Sequence, residues 1–389
     1  MDIFWEKAGW ENNDPHLTGL HAMPFRRKFP PVPQKKGLYV VRGPRQIGKT
    51  SWLKHVLSFY TGKNEDCFYL SCEKIEDFKE LSEILKSVRD RKAVLIDEIT
   101  FIKNWDRAVK YEVDFGHTNI LIITGSHMHD LRRGADTMPG RFGDGGEFLM
   151  LPMDFNEFHD IREQAGWASD SHLEELRAFF KTGGFPSAVA EAGTDCKKPA
   201  KTMQTIMRWL VGDIIKLGKQ EHYLKELIIQ LFLTMQTPIS HQTLATKTNI
   251  GSHNTVQEYV SILESCFALK TLYCVDIDTG AYRFKKDKKF YFTDPLLYWI
   301  ARDLSGKKNV ENHEEKIAEM AAHESLSRKF SRFGYFSGPS GEIDFILPKE
   351  WALEIKWASV PSNLSRAYKN MGIPWKTVWS HSNFMKEYP

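Results

Sequence analysis

"GLYVVRGPRQIGKTSWLKHVLSFY" (Gly37–Tyr60) is the stretch whose reading decides how this chain folds. Its opening, "LYVV", is an apolar run of strand length, and its end, "SWLKHVLSFY", reads as a helix. Between them, Gly43-Pro44-Arg45-Gln46-Ile47-Gly48-Lys49-Thr50 fits G-x-x-x-x-G-K-[ST] at every defined position. The glycines let backbone N–H groups approach phosphate oxygens, and the N-terminus of the following helix adds a favourable dipole. Lys49 is placed to reach β- and γ-phosphates and Thr50 to bind Mg²⁺, with Ser51 continuing the loop into the helix. The stretch predicts a strand, a phosphate-binding loop and a helix that together take ATP and Mg²⁺.

Downstream, "CFYLS", "AVLIDE", "NILIITGS" and "EFLMLPM" are further β-like runs separated by helix-length pieces. Five such runs predict a parallel α/β sheet covered on both faces. In "AVLIDE" four apolar residues bury a strand; Asp97 at its tip would hold Mg²⁺ through water, and Glu98 would activate the attacking water. "CFYLS" lies between the loop and the Asp97 strand, so those two strands need not be neighbours. The next strand ends in "IITGS". Open α/β sheets bind ligands at strand C-termini, so Thr124 or Ser126 would contact the γ-phosphate or the attacking water. Arg132, Arg133 and Arg141 follow in "LRRGADTMPGRF", and one of them could neutralise transition-state charge in cis or in a neighbouring subunit. A solvated basic loop accounts for the others, and His127 and His129 lack the further ligands a zinc site needs.

"GPRQIGKT", "LIDEI…NW", "IITGS", "PGRF", "PMDFNEF" and "GGFPSA", in that order, resemble the AAA-type ATPases of archaea and bacteria that carry a C-terminal domain of unknown function with a nuclease-like fold. The resemblance covers nearly the whole chain from Gly37. It implies that Arg141 is the catalytic arginine of that motif. It also implies that Gly184-Phe185-Pro186 belongs to a lid element, with Pro186 against nucleotide as in related signalling ATPases. Thr100 departs from the pattern, because a glutamine commonly follows the acidic pair there.

Residues 221–275 read as three helices and an apolar run. "SHQTLATKTN" and "SHNTVQEYVSILESC" each open on a serine suited to cap a helix. "LKTLYCVDID", a turn and "YRFKKDKKFYF" then suggest a β-hairpin, and three short helices before a hairpin is the order of a winged helix. On that reading Ser252, His253, Asn254 and Gln257 face a DNA groove, while Lys285, Lys286, Lys288 and Lys289 contact phosphates from the wing. The bland alternatives are a protein-docking module and a solvated turn.

Towards the C-terminus, "GEIDFILPKEWALEIKWA" (Gly341–Ala358) places Asp344 ten positions before Glu354 and Lys356 two after it. Glu354 and Lys356 share a strand face by period-two geometry. Carboxylates on adjacent strands can hold Mg²⁺ through hard oxygens, with the lysine stabilising charge and Glu324 of the preceding helix completing the shell. Burial of Ile343, Phe345, Leu353 and Ile355 would leave the three polar residues together on the opposite face. Helix, strands, helix, strand is the order of a restriction-endonuclease core, and the residues resemble a PD-(D/E)xK site with Ile343 at the usual proline position.

The 389 residues, 42% hydrophobic and 26% charged, have the profile of a folded multi-domain protein. Five scattered cysteines form no CxxC pair and suggest reduced thiols in the cytoplasm. The N-terminus shows no signal-peptide pattern, and the apolar runs are too short to span a membrane. A net charge of +3 permits a basic face without demanding one. The expected architecture is α/β: an N-terminal arm (1–36), a P-loop ATPase core (37–158), a helical lid (159–220), a winged helix (221–308) and a restriction-endonuclease-like domain (309–389). The expected function is ATP hydrolysis coupled to engagement of DNA, with a homo-oligomer if an arginine acts in trans. A nucleotide switch that binds a protein partner through an inactive nuclease-like domain is the alternative.

Overall fold

The computed structural model describes residues 4–116, 119–125, 140–307, 312–358, 364–370, 372–386 and 388. They divide into two compact units, Met1–Pro152 and Met153–Pro389.

The first unit is built on five parallel strands, β1 (Gly37–Arg42), β2 (Cys67–Ser71), β3 (Ala93–Asp97), β4 (Ile120–Gly125) and β5 (Gly146–Leu149). Their order across the sheet is β2-β3-β4-β1-β5. Nearly every residue of β1 to β4 is buried, as continuous apolar runs are when both faces of a parallel sheet are covered. Among the described residues, four helices accompany the strands: α1 (Pro15–Ala22), α2 (Lys49–Thr61), α3 (Phe78–Ser87) and α4 (Trp105–Asp114). Asp14 and Asp77 cap α1 and α3, each accepting from two backbone N–H groups of the first turn. The strand that separates β1 from β3 is β4; "CFYLS", which lies between them in sequence, forms the outer strand β2.

The N-terminal arm packs into this unit. Trp5, Trp10, Leu17 and Phe25 are buried, and Trp52 Nε1 of α2 donates to the Pro30 carbonyl at 2.9 Å. The Lys54 ammonium lies 3.3 Å from Asp14 and within 4 Å of the Phe4 and Tyr69 ring centres, at 3.7 and 3.8 Å. A cation taken from water in this way needs both the carboxylate and the ring faces.

The second unit opens with α5 (Phe155–Gln164), α6 (His172–Thr182), α7 (Pro186–Ala192) and α8 (Ala200–Lys216). Next come α9 (Glu221–Leu233), α10 (His241–Thr246) and α11 (His253–Ser265), then the antiparallel pair β6 (Leu269–Tyr273) and β7 (Lys288–Phe292) and helix α12 (Pro295–Ser305). Ser240 and Ser252 cap α10 and α11 through their side-chain oxygens. Ile239, just before α10, forms an antiparallel bridge to Lys288 of β7, tying the helices to the hairpin.

The chain ends in α13 (His313–Lys329), β8 (Gly334–Gly338), β9 (Gly341–Leu347), β10 (Trp351–Ile355), α14 (Arg366–Asn370) and β11 (Trp375–Trp379). The sheet order is β11-β10-β9-β8, with β10 and β11 parallel and the other pairs antiparallel. The expected alternation of buried and open positions does not hold in β10, where all five residues are buried. Phe345 lies among Tyr291, His323 and Phe333, while Ile346 and Ala352 pack with Ala367 and Tyr368 of α14. Both faces of β10 are covered, so Glu354 is buried, while Asp344 and Glu342 of β9 stay partly open. Among the described residues, no helix is long and apolar enough to cross a membrane, and no cysteine is in a disulfide.

Candidate functional site

The phosphate loop joins the C-terminal end of β1 to the N-terminus of α2. A side chain at Gly43 would place its Cβ 1.9 Å from the Met150 carbonyl oxygen, so only glycine fits. Gly48 caps α2 at φ 95°, a left-handed conformation that glycine adopts without strain. Gln46 is also left-handed, at φ 62°. Lys49 is buried, and its Nζ donates to the carbonyls of Gly43 (3.0 Å) and Pro44 (2.8 Å). Its ammonium is thereby held against the loop whose N–H groups it would share phosphate with. Thr50 and Ser51 sit half-buried in the first turn of α2.

One strand away, the register pairs Val41 of β1 with Thr124 of β4. Thr124 is fully buried and forms a bridge. Its Oγ1 donates to Asp97 Oδ1 at 2.5 Å and accepts from the Glu98 N–H at 3.0 Å. The second oxygen of Asp97 accepts from Tyr69 Oη at 3.0 Å. Glu98, at φ 52°, is in a left-handed conformation that is uncommon without glycine, and the bridge helps hold it there. Tyr69 did not stand out in the sequence; burial and then Asp97 raise its pKa strongly, so it remains a hydrogen-bond donor. Burial followed by Asp97 and Glu98 likewise pushes the Cys72 thiol up to about 12, which keeps it protonated. The oxygen donors Thr50 and Asp97 suit Mg²⁺, which prefers a few hard oxygens and retained water.

Arg141 lies elsewhere. Leu38 N–H donates to the Phe142 carbonyl at 3.0 Å and Gly37 bridges Gly143, which fixes Arg141 beside the first residues of β1. Its guanidinium pairs with Asp114, the last residue of α4. The phosphate loop leaves the other end of this strand, roughly 17 Å away at about 3.3 Å per residue. Action of Arg141 in cis is therefore corrected: the side chain cannot span that length. Ser126, His127, His129, Arg132 and Arg133 lie outside the described residues.

In the second unit, Gly183 and Gly184 have a packing reason of their own. Asp294 accepts from the N–H groups of Gly184 and Leu296, each at 2.8 Å. An added Cβ would meet Asp294 at 2.2 Å from Gly183 and the Met153 carbonyl at 1.9 Å from Gly184. Pro186 is buried at the start of α7. Burial pushes the Asp294 carboxyl up to about 7, against the two N–H groups that favour its charged form.

Ser252, His253, Asn254 and Gln257 are all exposed along the start of α11, although the Ser252 hydroxyl is engaged as the cap. Lys285 and Lys286 are exposed beside Phe284, which is 64% exposed. Lys288 is half-buried and donates to the carbonyls of Phe284 (2.9 Å) and Lys286 (3.2 Å). Lys289 is a correction. It is 1% exposed and ion-paired inside the protein, so it has no surface to offer a phosphate. β7 is buried continuously from Lys289 to Phe292, and Lys288 at its start is the one residue of the strand left partly open.

The structure does bring Asp344, Glu354 and Lys356 together. Asp344 Oδ2 accepts from the Ile355 N–H at 2.9 Å, and the Glu354 carboxylate lies 3.2 Å from Lys356 Nζ, with Ser365 donating to it at 3.4 Å. Burial and then Asp344 push Glu354 up to about 7. Burial alone would lower Lys356, but Asp344 and Glu354 outweigh it and its pKa is raised. Glu324 does not join them: it pairs with Lys270 at 2.6 Å and Arg328 at 3.3 Å. The acid that α13 contributes is Glu319, held by Tyr291 Oη, by Gln236 Nε2 at 2.7 Å and by Lys289 at 3.3 Å. Five residues separate the two, roughly 140° around a helix, so they cannot share a face.

Residues 35–159 match an AAA domain family, and residues 173–308 match a family described as a domain of unknown function. An uncharacterized protein of Haemophilus influenzae is 28% identical over 339 residues, covering 80% of this chain and 79% of that one. An uncharacterized protein of Methanocaldococcus jannaschii is 27% identical over 181 residues, covering 43% of this chain and 39% of the relative. Among solved structures, a Walker-type ATPase of Pyrococcus abyssi is similar with a TM-score of 0.47 and 14% identity, over 77% of this chain and 96% of that one. The ORC1 protein of Aeropyrum pernix, solved in complex with DNA, has a TM-score of 0.35 and 12% identity, over 69% and 86%. By the family match and by its five-stranded parallel sheet, the first unit carries an AAA-type P-loop ATPase domain, and a region matching a domain of unknown function follows it.

Proposed function

We propose that this protein hydrolyses ATP to ADP and phosphate in its first unit and engages DNA through its second. The observation that carries the hydrolytic part is the Thr124 bridge, which joins the tip of β3 to the tip of β4 one strand from the phosphate loop. In this reading the N–H groups from Gly43 to Ser51, with Arg45, Gln46 and Ile47 supplying loop backbone, cradle the phosphates. Lys49 turns from its two carbonyls to the β- and γ-phosphates, and Glu98 takes the proton of the attacking water. Thr50 and Asp97 would hold Mg²⁺, which would supply neutralisation of the phosphate charge. Thr124 holds the Asp97 carboxylate and the Glu98 backbone in place and is a positioning residue. Arg141 would serve only in trans, at the site of a second copy in a homo-oligomer, and Pro186 is the candidate lid contact.

For DNA, the bridge between Ile239 and Lys288 supports reading 221–292 as a winged helix, with Ser252, His253, Asn254 and Gln257 towards a groove. Lys285 and Lys286 would reach phosphates from the wing. The order helix, three strands, helix, strand over 313–379, with one parallel and two antiparallel strand pairs, supports a restriction-endonuclease-like core. Asp344, Glu354 and Lys356 are its polar centre. Lys49→Ala and Glu98→Gln are each expected to abolish ATP turnover while the protein stays folded; unchanged turnover in both sinks the assignment.

A further inference from the structure

The buried lysine of β7 has a use that no surface reading gives it. Lys289 Nζ lies 2.6 Å from Glu342 Oε1, 3.3 Å from Glu319 Oε1 and 3.5 Å from Asp344 Oδ1. Three carboxylates from α13 and β9 thus converge on one ammonium, whose three N–H groups can each face one of them. Tyr291 Oη and Gln236 Nε2 complete Glu319, and the Ile355 N–H occupies the other oxygen of Asp344. Lys356 takes Glu354. Every acid of the centre therefore already has a cationic partner from the chain itself. Among the described residues, no group of three or more His, Cys, Asp or Glu is arranged to hold a metal ion.

We propose that the Lys289 ammonium is the resident cation of this acidic centre and excludes divalent metal from Asp344. A buried lysine paired with acids on two other elements is costly to place and cannot leave without exposing those acids to one another. A divalent ion at Asp344 would need the same oxygens at 2.0–2.6 Å, a range typical of hard cations, and would repel the ammonium beside them. The nuclease-like centre is then a closed one, in which β7 of the helix-and-hairpin region supplies the counter-charge. Any cutting that needed a metal would first require Lys289 to withdraw with its strand. This inference rests on the nuclease-like reading of the sheet for its consequence, but its own test needs no DNA.

The test is titration of the nucleotide-free full chain with Mn²⁺, read by calorimetry and by the thermal midpoint. Wild type and Asp344→Asn are expected to behave alike, with no Asp344-dependent binding. Lys289→Met, which keeps the stem and removes the charge, is expected to gain one Mn²⁺ per chain and a rise in midpoint on adding it. Lys289→Met combined with Asp344→Asn should lose that gain. A wild-type Mn²⁺ site that vanishes in Asp344→Asn overturns the proposal, and so does a folded Lys289→Met that binds none. If Lys289→Met does not fold, the wild-type pair decides. Failure of the DNA reading shows separately, as no retention of labelled duplex or single strand by any of these proteins.

Discussion

Thr124→Val keeps the shape of a fully buried side chain and removes one hydroxyl that makes two bonds. Asp97 Oδ1 loses its 2.5 Å donor, and the Glu98 N–H loses its 3.0 Å acceptor. Asp97 retains Tyr69 on its second oxygen, so the carboxylate is only half abandoned. Leaving a buried donor and acceptor unmatched costs about 2 kcal/mol, which lowers the midpoint of a unit this size by roughly 4–8 °C. The larger effect is on turnover. Glu98 is held in a left-handed conformation partly by the lost bond, and a displaced base should lower kcat by about tenfold or more. KM for ATP should barely move, because Lys49 and the loop are untouched. Steady-state ATP hydrolysis and a thermal melt of the same preparation measure both, and Thr124→Ser should restore both. Turnover in Thr124→Val within about twofold of wild type, at an unchanged midpoint, refutes the positioning role.

The remaining predictions concern the second unit. Burial raises the Asp294 carboxyl from its ordinary 3.8 to about 7, so between those values the folded protein holds a proton that the unfolded chain has released. Its contribution therefore makes stability fall as pH rises from about 4 to 7, by at most about 1.4 kcal/mol per pH unit, and level off above. Asp294→Asn should flatten that part of the melting profile, and an unchanged slope contradicts the assignment. Lys285→Glu with Lys286→Glu should weaken duplex binding at low salt and reduce the salt slope by roughly 2, whereas Lys289 lies too deep to contribute. Equal salt slopes for the variant and the wild type would remove the wing from the interface.

The phosphate loop was legible because its chemistry is local: glycines at two fixed places, a lysine, a hydroxyl, and flanks of strand and helix. The position of Asp97 and Glu98 follows from the same local reading: acids closing an apolar run, which the fold sets at the end of β3. What the sequence could not carry was sheet order. Only the folded sheet shows that β4, and not "CFYLS", separates β1 from β3 and so sets Thr124 against Asp97. Tyr69, Glu319 and Asp294 escaped notice because their partners are 28, 30 and 110 residues away, with no motif to join them. Lys289 was misread because a run of lysines reads as a solvated face, whereas its last member begins the covered part of β7 and meets acids distant in sequence. Glu354 was expected on an open face, but α13 and α14 pack on the two central strands and Glu354 is buried with the rest of β10. Arg141 fitted its motif, yet its place beside Leu38 puts it at the wrong end of β1 for its own loop.

The most direct test of the central claim is ATP turnover by the purified full chain, with Mg²⁺ and with or without DNA, in wild type, Lys49→Ala and Glu98→Gln. The account predicts Mg²⁺-dependent hydrolysis that is raised by at least one form of DNA and abolished in both variants. Hydrolysis that persists unchanged in both would place the chemistry elsewhere and contradict it.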